Sequence, residues 1–258
     1  MQVSVFAPHP ELAPFVHVFR VVEAAEESTR VLLPDIGITI GIRFGGSAAL
    51  LETDRIQPVP NATFSGFRAT ARHMRTSAGG GVVLAAFHPA GAARFFAQPL
   101  HELFGATVAL DSFLPRSEIA RAEERIRGAK THCERVTVLE QMLLQRVRPE
   151  PPDQLVRAAV AAIRDRKGAL RIADLARELG VNIDGLEKRF RRAVGGTPKQ
   201  LASIWRLKHA VEAHHPGKSL AALALEAGYC DQSHLSRELR AVTGQSPQRF
   251  FAAGAHCS

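Results

Sequence analysis

The stretch RIADLARELG at positions 171–180 returns as SLAALALEAG at 219–228, an offset of 48 residues. Five of the ten positions are identical: Ala173 with Ala221, Leu175 with Leu223, Ala176 with Ala224, Glu178 with Glu226 and Gly180 with Gly228. One inserted residue moves the offset to 49. Leu186 then matches Leu235, Phe190 matches Leu239, Arg191 matches Arg240, Gly195 matches Gly244 and Pro198 matches Pro247. Each copy reads as a helix, a glycine-containing turn, a second helix and then Gly-x-[Ser/Thr]-Pro. That is the plan of a helix-turn-helix, used twice. Gly180 and Gly228 can take the positive φ that ends the first helix sharply. Asn182 and Asp231 are N-cap residue types for the second helices. Ala176 and Ala224 are small enough to let the paired helices cross closely.

Between the copies, Lys199 to His215 reads as one helix with Leu201, Ile204, Leu207, Lys208 and Val211 near its inner face. Pro198 suits its first turn. Such a helix of about 16 residues is a rod near 24 Å long. It could set two second helices in successive major grooves of one DNA face, about 34 Å apart, with some bending of the duplex. The second helices carry the chemistry for that. The first has Asp184, Glu187, Lys188 and Arg191; the second has Gln232, Ser233, Ser236, Arg237 and Arg240. These hydrogen-bonding side chains lie three and four apart, opposite Leu186/Phe190 and Leu235/Leu239, as base-edge and phosphate contacts require. A repeat-built helical domain that binds protein is the blander reading.

Charge favours nucleic acid. Residues 1–154 hold 16 Lys+Arg and 16 Asp+Glu, whereas residues 155–258 hold 17 and 9, so the entire formal charge of +8 falls in the last two-fifths. A one-sided basic excess suits a polyanion, either nucleic acid or an anionic lipid surface. The segment Arg148-Pro149-Glu150-Pro151-Pro152-Asp153 marks a boundary, because its prolines cannot continue a helix. Residues 1–148 are expected to form a β-rich domain, a small barrel or sandwich. Residues 149–153 form a linker, and 154–258 an all-α DNA-binding domain. The fold class is therefore α+β. In Ile36-Gly37-Ile38-Thr39-Ile40-Gly41-Ile42 the isoleucines alternate, which puts all four on one strand face. Phe15–Phe19 and Val82–Phe87 are further strands. From Ser117, a candidate N-cap, to about residue 147 the period becomes helical: Ile119, Ala122, Ile126 and Ala129, then Val136, Leu139 and Leu143, on two helices broken near Gly128 to Arg135. They cover one side of the barrel or form a dimerisation face, and the short stripe favours the former.

Other functions find little support. No run reaches the ~18 apolar residues of a membrane span, and the start MQVSVFAPHPEL lacks the pattern of a secretory signal. Cys133, Cys230 and Cys257 form no C-x-x-C pair, which argues against a disulfide scaffold and fits a reducing cytoplasm; Cys133 and Cys230 are expected as buried, inert thiols. His9, His17, His73, His88, His101 and His132 make no H-x-H or H-E-x-x-H, so no metal is expected. Ser65-Gly66 and Asp111-Ser112 lack a nucleophile elbow. Gly79-Gly80-Gly81 precedes a strand, as a loop and not a phosphate cradle.

The stretch SLAALALEAGYCDQSHLSRELRAVTGQSPQRF (219–250) resembles the signature of the AraC/XylS family of bacterial transcription regulators. The match is Ser-Leu-x-x-Leu-Ala at the start, Gly-Tyr-x-Asp-Gln-Ser in the turn, and Gly-x-Ser-Pro-x-x-Phe at the end. Cys230 stands where the family often has Ser, and Leu235 where Phe is common. The resemblance covers about Leu155 to Phe251 and implies two recognition helices, with Asp184, Glu187, Lys188 and Arg191 on the first and Gln232, Ser233, Ser236, Arg237 and Arg240 on the second. It implies a cytoplasmic, non-enzymatic regulator without a cofactor. Its partners would be double-stranded DNA, a second copy of the chain, a small-molecule effector at the N-terminal half and, for an activator, RNA polymerase. PHPELAPFV, LPDIGITIGIRF and FHPAGAARFFAQPLHELFG are similar to a domain often found ahead of this module. One alternative stays open: a small-molecule-binding or enzymatic barrel with a basic helical docking module.

Overall fold

Runs of β-branched and aromatic residues become strands here, and their alternation assigns each residue to one of two faces. The computed structural model describes residues 1–52, 55–149 and 151–252, so Glu150 and Cys257 lie outside the described residues. The strands are β1 (Gln2–Phe6), β2 (Val16–Ala24), β3 (Ser28–Leu32), β4 (Thr39–Gly45), β5 (Ala48–Glu52), β6 (Arg55–Pro58), β7 (Ala62–Ser65), β8 (Arg72–Thr76), β9 (Gly80–Phe87) and β10 (Thr107–Ala109). They form two sheets, in the orders β1-β2-β9-β4-β7-β10 and β3-β8-β5-β6. Neighbours run antiparallel, with Ile40 opposite Ala85 and Ile42 opposite Val83.

Ile38, Ile40 and Ile42 do share one face, in a core with Phe19, Val21, Phe64, Val83, Ala85 and Phe87. Ile36 does not join them. The strand starts only at Thr39, and Ile36 is buried instead among the C-terminal helices. The isoleucine face is covered by α1 (Arg116–Gly128) and α2 (His132–Leu144), whose Ile119, Ala122, Ile126, Val136, Leu139 and Leu143 complete the same core. That stripe is core, and each large aliphatic buried there contributes roughly 1.5–3 kcal/mol. Ser117 does not cap α1. The helix begins one residue earlier, after Pro115, with no side-chain cap. The side-chain cap falls on α2, where Thr131 and Glu134 form a reciprocal capping box. His132 bridges Ser4 at 3.2 Å and Glu23 at 3.1 Å, a satisfied histidine that ties α2 to β1 and β2.

The rest is helical: α3 (Gln154–Asp165), α4 (Ile172–Glu178), α5 (Ile183–Val194), α6 (Pro198–Ala213), α7 (Leu220–Glu226), α8 (Gln232–Thr243) and α9 (Pro247–Ala252). Val156, Ala159 and Ile163 of α3 pack with Leu175, Ala176, Leu186, Phe190, Leu201 and Ile204. Beyond them, Ala210 packs with Leu223, Ala224, Tyr229 and Leu235, and Leu207 with Leu239, Val242 and Phe250. The rod α6 thus contributes to all three helical clusters, through Leu201 and Ile204, Ala210, and Leu207. Among the described residues no helix is long and apolar enough to cross a membrane.

The sheets and the helices share a core. Ile36 and Phe67, from the β-rich half, sit inside the cluster formed by α3, α4, α5 and α6. Leu33 packs on Leu207, Leu239, Val242 and Phe250, and the Ala71 amide donates to the Val242 carbonyl at 2.7 Å. The approach is close at Gly195-Gly196. A Cβ on Gly196 would lie 2.4 Å from the Phe67 ring, and one on Gly195 would lie 3.2 Å from the Leu100 carbonyl oxygen.

Candidate nucleic-acid interface

Helices α4–α5 and α7–α8 form two helix-turn-helix units whose turns follow from local chemistry. Gly180 and Gly228 have φ of 67° and 77°, the left-handed region that glycine enters without strain. Asn182 Oδ1 then accepts from the Gly185 amide at 2.6 Å, and Asp231 Oδ1 accepts from the His234 amide at 2.7 Å. These caps fix where α5 and α8 begin. Ala176 and Ala224 are buried at the helix crossings. The Gly-x-[Ser/Thr]-Pro segments stop one helix and start another. Gly195 and Gly244 cap α5 and α8 in the left-handed region, and Thr197 closes a capping box with Gln200 at the head of α6.

On α5, Asp184, Lys188 and Arg191 are exposed and Glu187 is half-buried. Glu187 lies 3.7 Å from Arg191, so part of that arginine's charge is already matched. On α8, Gln232, Ser233, Arg237 and Arg240 are exposed and Ser236 is half-buried. Among the described residues none of these five side chains on α8 has a hydrogen-bonding or ionic partner within the chain. A face of free donors is able to exchange water for base edges and phosphates. The face on α5 is mixed in sign, and the face on α8 carries cationic and neutral donors only.

Two polar groupings that position these helices escaped the sequence reading. Glu238, on the inner side of α8, accepts from Ser203 Oγ at 2.6 Å, Arg206 Nη2 at 3.0 Å and the Tyr229 hydroxyl at 3.3 Å. Burial, with Glu238 beside it, pushes the Tyr229 phenol far up, so it stays a donor. The cluster ties α8 to α6. At the other unit, Arg189 of α5 donates to both oxygens of Asp153 at 2.6 and 2.8 Å, while Asp153 also accepts from the Val156 amide at 3.1 Å. Partners 32 to 36 residues apart leave no periodic signal.

Burial raises the Asp153 carboxyl, but the bonds from Arg189 and Val156 outweigh it, and the net shift is below the ordinary 3.8. Asp153→Ala should therefore cost about 1–2 kcal/mol, mostly the lost helix cap with a smaller share from an exposed ion pair. A depressed carboxyl stabilises above its unfolded value and ceases to do so as pH falls through the folded one. Urea unfolding of both proteins should show the gap at neutral pH narrowing below about pH 4.

A cleft of about 750 Å³ runs between the sheets and α3/α5, with His17, His88, Arg94, Arg157, Arg189 and Arg192 among its walls. The His17 and His88 rings meet edge-on at 5.2 Å, and burial lowers both below the ordinary 6.5. Among the described residues no group of three His, Cys, Asp or Glu gathers as metal ligands do. Cys133 and Cys230 are exposed rather than buried. Cys133 sits on the outer side of the first turn of α2, and Cys230 in the turn ahead of α8, so neither joins a core.

Residues 175–253 match a family described as a helix-turn-helix domain. Residues 4–109 match one described as a domain of unknown function (DUF6597). No curated protein sequence matches the chain. Among solved structures, ToxT from Vibrio cholerae is similar over 91% of this chain and 97% of that one, at 12% identity and a TM-score of 0.49. The same protein in an unsaturated fatty acid-bound form aligns over 93% and 97%, at 13% identity and 0.49. A probable AraC family transcriptional regulator from Rhodopseudomonas palustris aligns over 39% of this chain and 97% of its own, at 25% identity and 0.34.

Proposed function

We propose that this chain is a DNA-binding transcriptional regulator of the AraC type, as its match to a helix-turn-helix family over residues 175–253 supports, and that it reads a specific DNA site with both α5 and α8. What carries this reading is the outer face of α8, where Gln232, Ser233, Arg237 and Arg240 stand exposed and without partners in the chain. Arg237 suits guanine and Gln232 adenine by their bidentate geometry. On α5, Lys188 and Arg191 contact phosphate, and Asp184 and Glu187 narrow the choice of base. Ser236 and Arg240 complete the second face. The rod α6 spans 16 residues, about 24 Å, which is short of the ~34 Å between successive major grooves. The site is therefore bent toward the protein, and flexible pyrimidine–purine steps should be favoured between its two parts.

In this reading residues 154–258 are the DNA-binding domain, residues 149–153 the linker, and residues 1–148 the part that receives a signal or pairs with a second copy. The protein works in the cytoplasm on the nucleoid. A signal acts by binding two arrangements of the halves with different affinity.

Selection of bound sites from random DNA at near-physiological salt tests the reading. Enrichment of an asymmetric site with two parts about 10 base pairs apart is the expected result. Arg237→Ala should then lose about 1–3 kcal/mol on that site and relax one base-pair preference. Equal weakening on every sequence would reduce Arg237 to a phosphate contact, and no enrichment by either the full chain or residues 150–258 would overturn the proposal.

A further inference from the structure

Residues of the two sheets and their loops line a cavity of about 220 Å³ to which neither helix-turn-helix unit contributes a wall. The strand alternation that sends Ile40 and Ile42 toward α1 and α2 sends Thr39 and Arg43 the other way, into this cavity. On β9, Val83 and Ala85 face the helices while Val82 and Leu84 line the cavity. With Met74, Val22 and Leu32 they give it an apolar wall.

Its polar lining is one-sided. Five arginines reach it (Arg20, Arg30, Arg43, Arg68 and Arg72) against one lining carboxylate, Asp35, which lies 3.6 Å from Arg20. Arg43 is 7% exposed, and its Nε has no hydrogen-bond partner in the protein. Arg68 Nε has none either, and its Nη2 donates only to the Thr107 hydroxyl at 3.3 Å. Arg72 Nη1 donates to the Thr107 and Ser65 hydroxyls at 2.8 and 3.4 Å. The acceptors are thus neutral. Burial, with Arg68 adding to it, pulls Arg72 down to about 10; burial also lowers Arg43, and Arg68 as well despite Glu52. Withdrawing a cation from water costs several kcal/mol unless an anion meets it. A wall of methionines would fill the same space without that cost.

We propose that this cavity binds a small organic carboxylate, its charged end held by Arg43, Arg68 and Arg72 and its apolar body set against Val82, Leu84 and Met74. A planar guanidinium matches a carboxylate in a two-bond fork. The volume falls below the ~300–1,000 Å³ of sites for drug-sized ligands, so the ligand is a small one.

The site deepens the reading of residues 1–148 as a signal receiver and rests on it for its purpose. Two segments line the cavity and also touch the DNA-binding half. Leu33, Asp35 and Gly37 line it while Ile36 between them is buried among the helices, and Leu33 itself packs on Leu239 and Val242. Arg68 and Arg72 line it while Phe67 enters the first unit's core and Ala71 bonds to Val242. An anion that drew these arginines together would pull on both units.

Calorimetry and thermal melting of the full chain test the site without DNA, so its failure is separable from failure of the DNA reading. The probes are phenylacetate, benzoate and hexanoate, with phenylacetamide and inorganic phosphate as controls. At least one carboxylate at about 10 mM should raise Tm, with a Kd below about 1 mM. Phenylacetamide and phosphate should each bind at least about tenfold more weakly than that carboxylate. Arg43→Met and Arg72→Met should each weaken carboxylate binding about tenfold or more, with Tm in the absence of ligand unchanged or raised. The proposal falls if none of the three carboxylates binds, if the neutral amide or phosphate binds as well as the best of them, or if both methionine variants bind like the parent. Falling Tm in both variants would make the arginines structural and would also overturn it.

Discussion

Phe67→Ala is expected to destabilise the protein by about 3–5 kcal/mol, the range for emptying a fully buried aromatic site. The side chain is 0% exposed, yet the core cluster that it belongs to comes mostly from the other half of the chain, with Val156, Ile163, Leu186, Phe190 and Leu201 among its members. Gly195 and Gly196 can approach it only because they lack a Cβ. The cavity left behind opens at the junction of the sheets and the helices, so the loss falls on their attachment more than on either part. The parent should unfold in one cooperative transition, and the variant in two. Calorimetry and urea curves followed by separate probes of strand and helix check this. A single transition with a loss under about 1 kcal/mol would show that the site collapses or that the halves are held elsewhere.

Glu238→Ala should cost about 3 kcal/mol, because it leaves Arg206 without its anion in a place where the two side chains are only 13% and 18% exposed. Arg206 Nε already lacks a partner, and Ser203 and Tyr229 would lose theirs. Glu238→Gln, which keeps the shape and two acceptor bonds, should lose less than half as much. The consequence for recognition is geometric. Glu238 joins the inner side of α8 to α6, the rod that sets the distance between the two helices proposed to read DNA. Without it, affinity for the preferred DNA site should fall, and tolerance for one base pair more or less between its parts should rise. A binding series over sites of varied spacing separates this from a general loss of folded protein, which would lower all affinities in parallel.

The C-terminal half was legible because its rules are local. The glycines at 180 and 228, the caps at Asn182 and Asp231, and the alanines at the crossings act within a few residues of their position, and the repeat states each rule twice. The β-rich half yielded its strands but not their ends. Alternation placed Ile36 with Ile38, Ile40 and Ile42, since nothing in the pattern records that pairing begins at Thr39 and that Ile36 is taken by another core. Ser117 looked like a cap by type, while the chain was already helical after Pro115. The Glu238 cluster and the arginines at 43, 68 and 72 were out of reach for a different reason. Their partners come from separate elements, and single arginines on three segments form no motif until the sheets fold over one another.

The placement of Ile36 and Phe67 also bears on how the chain is made. Both leave the ribosome well before the helices that bury them, and Ile204 follows Phe67 by 137 positions. At roughly 5–20 residues per second, the sheets would wait on the order of ten seconds with two large apolar side chains uncovered. The nascent chain therefore carries, during synthesis, a sticky patch that the finished protein hides. Its yield in a cell should depend on chaperone supply more steeply than its final stability would suggest.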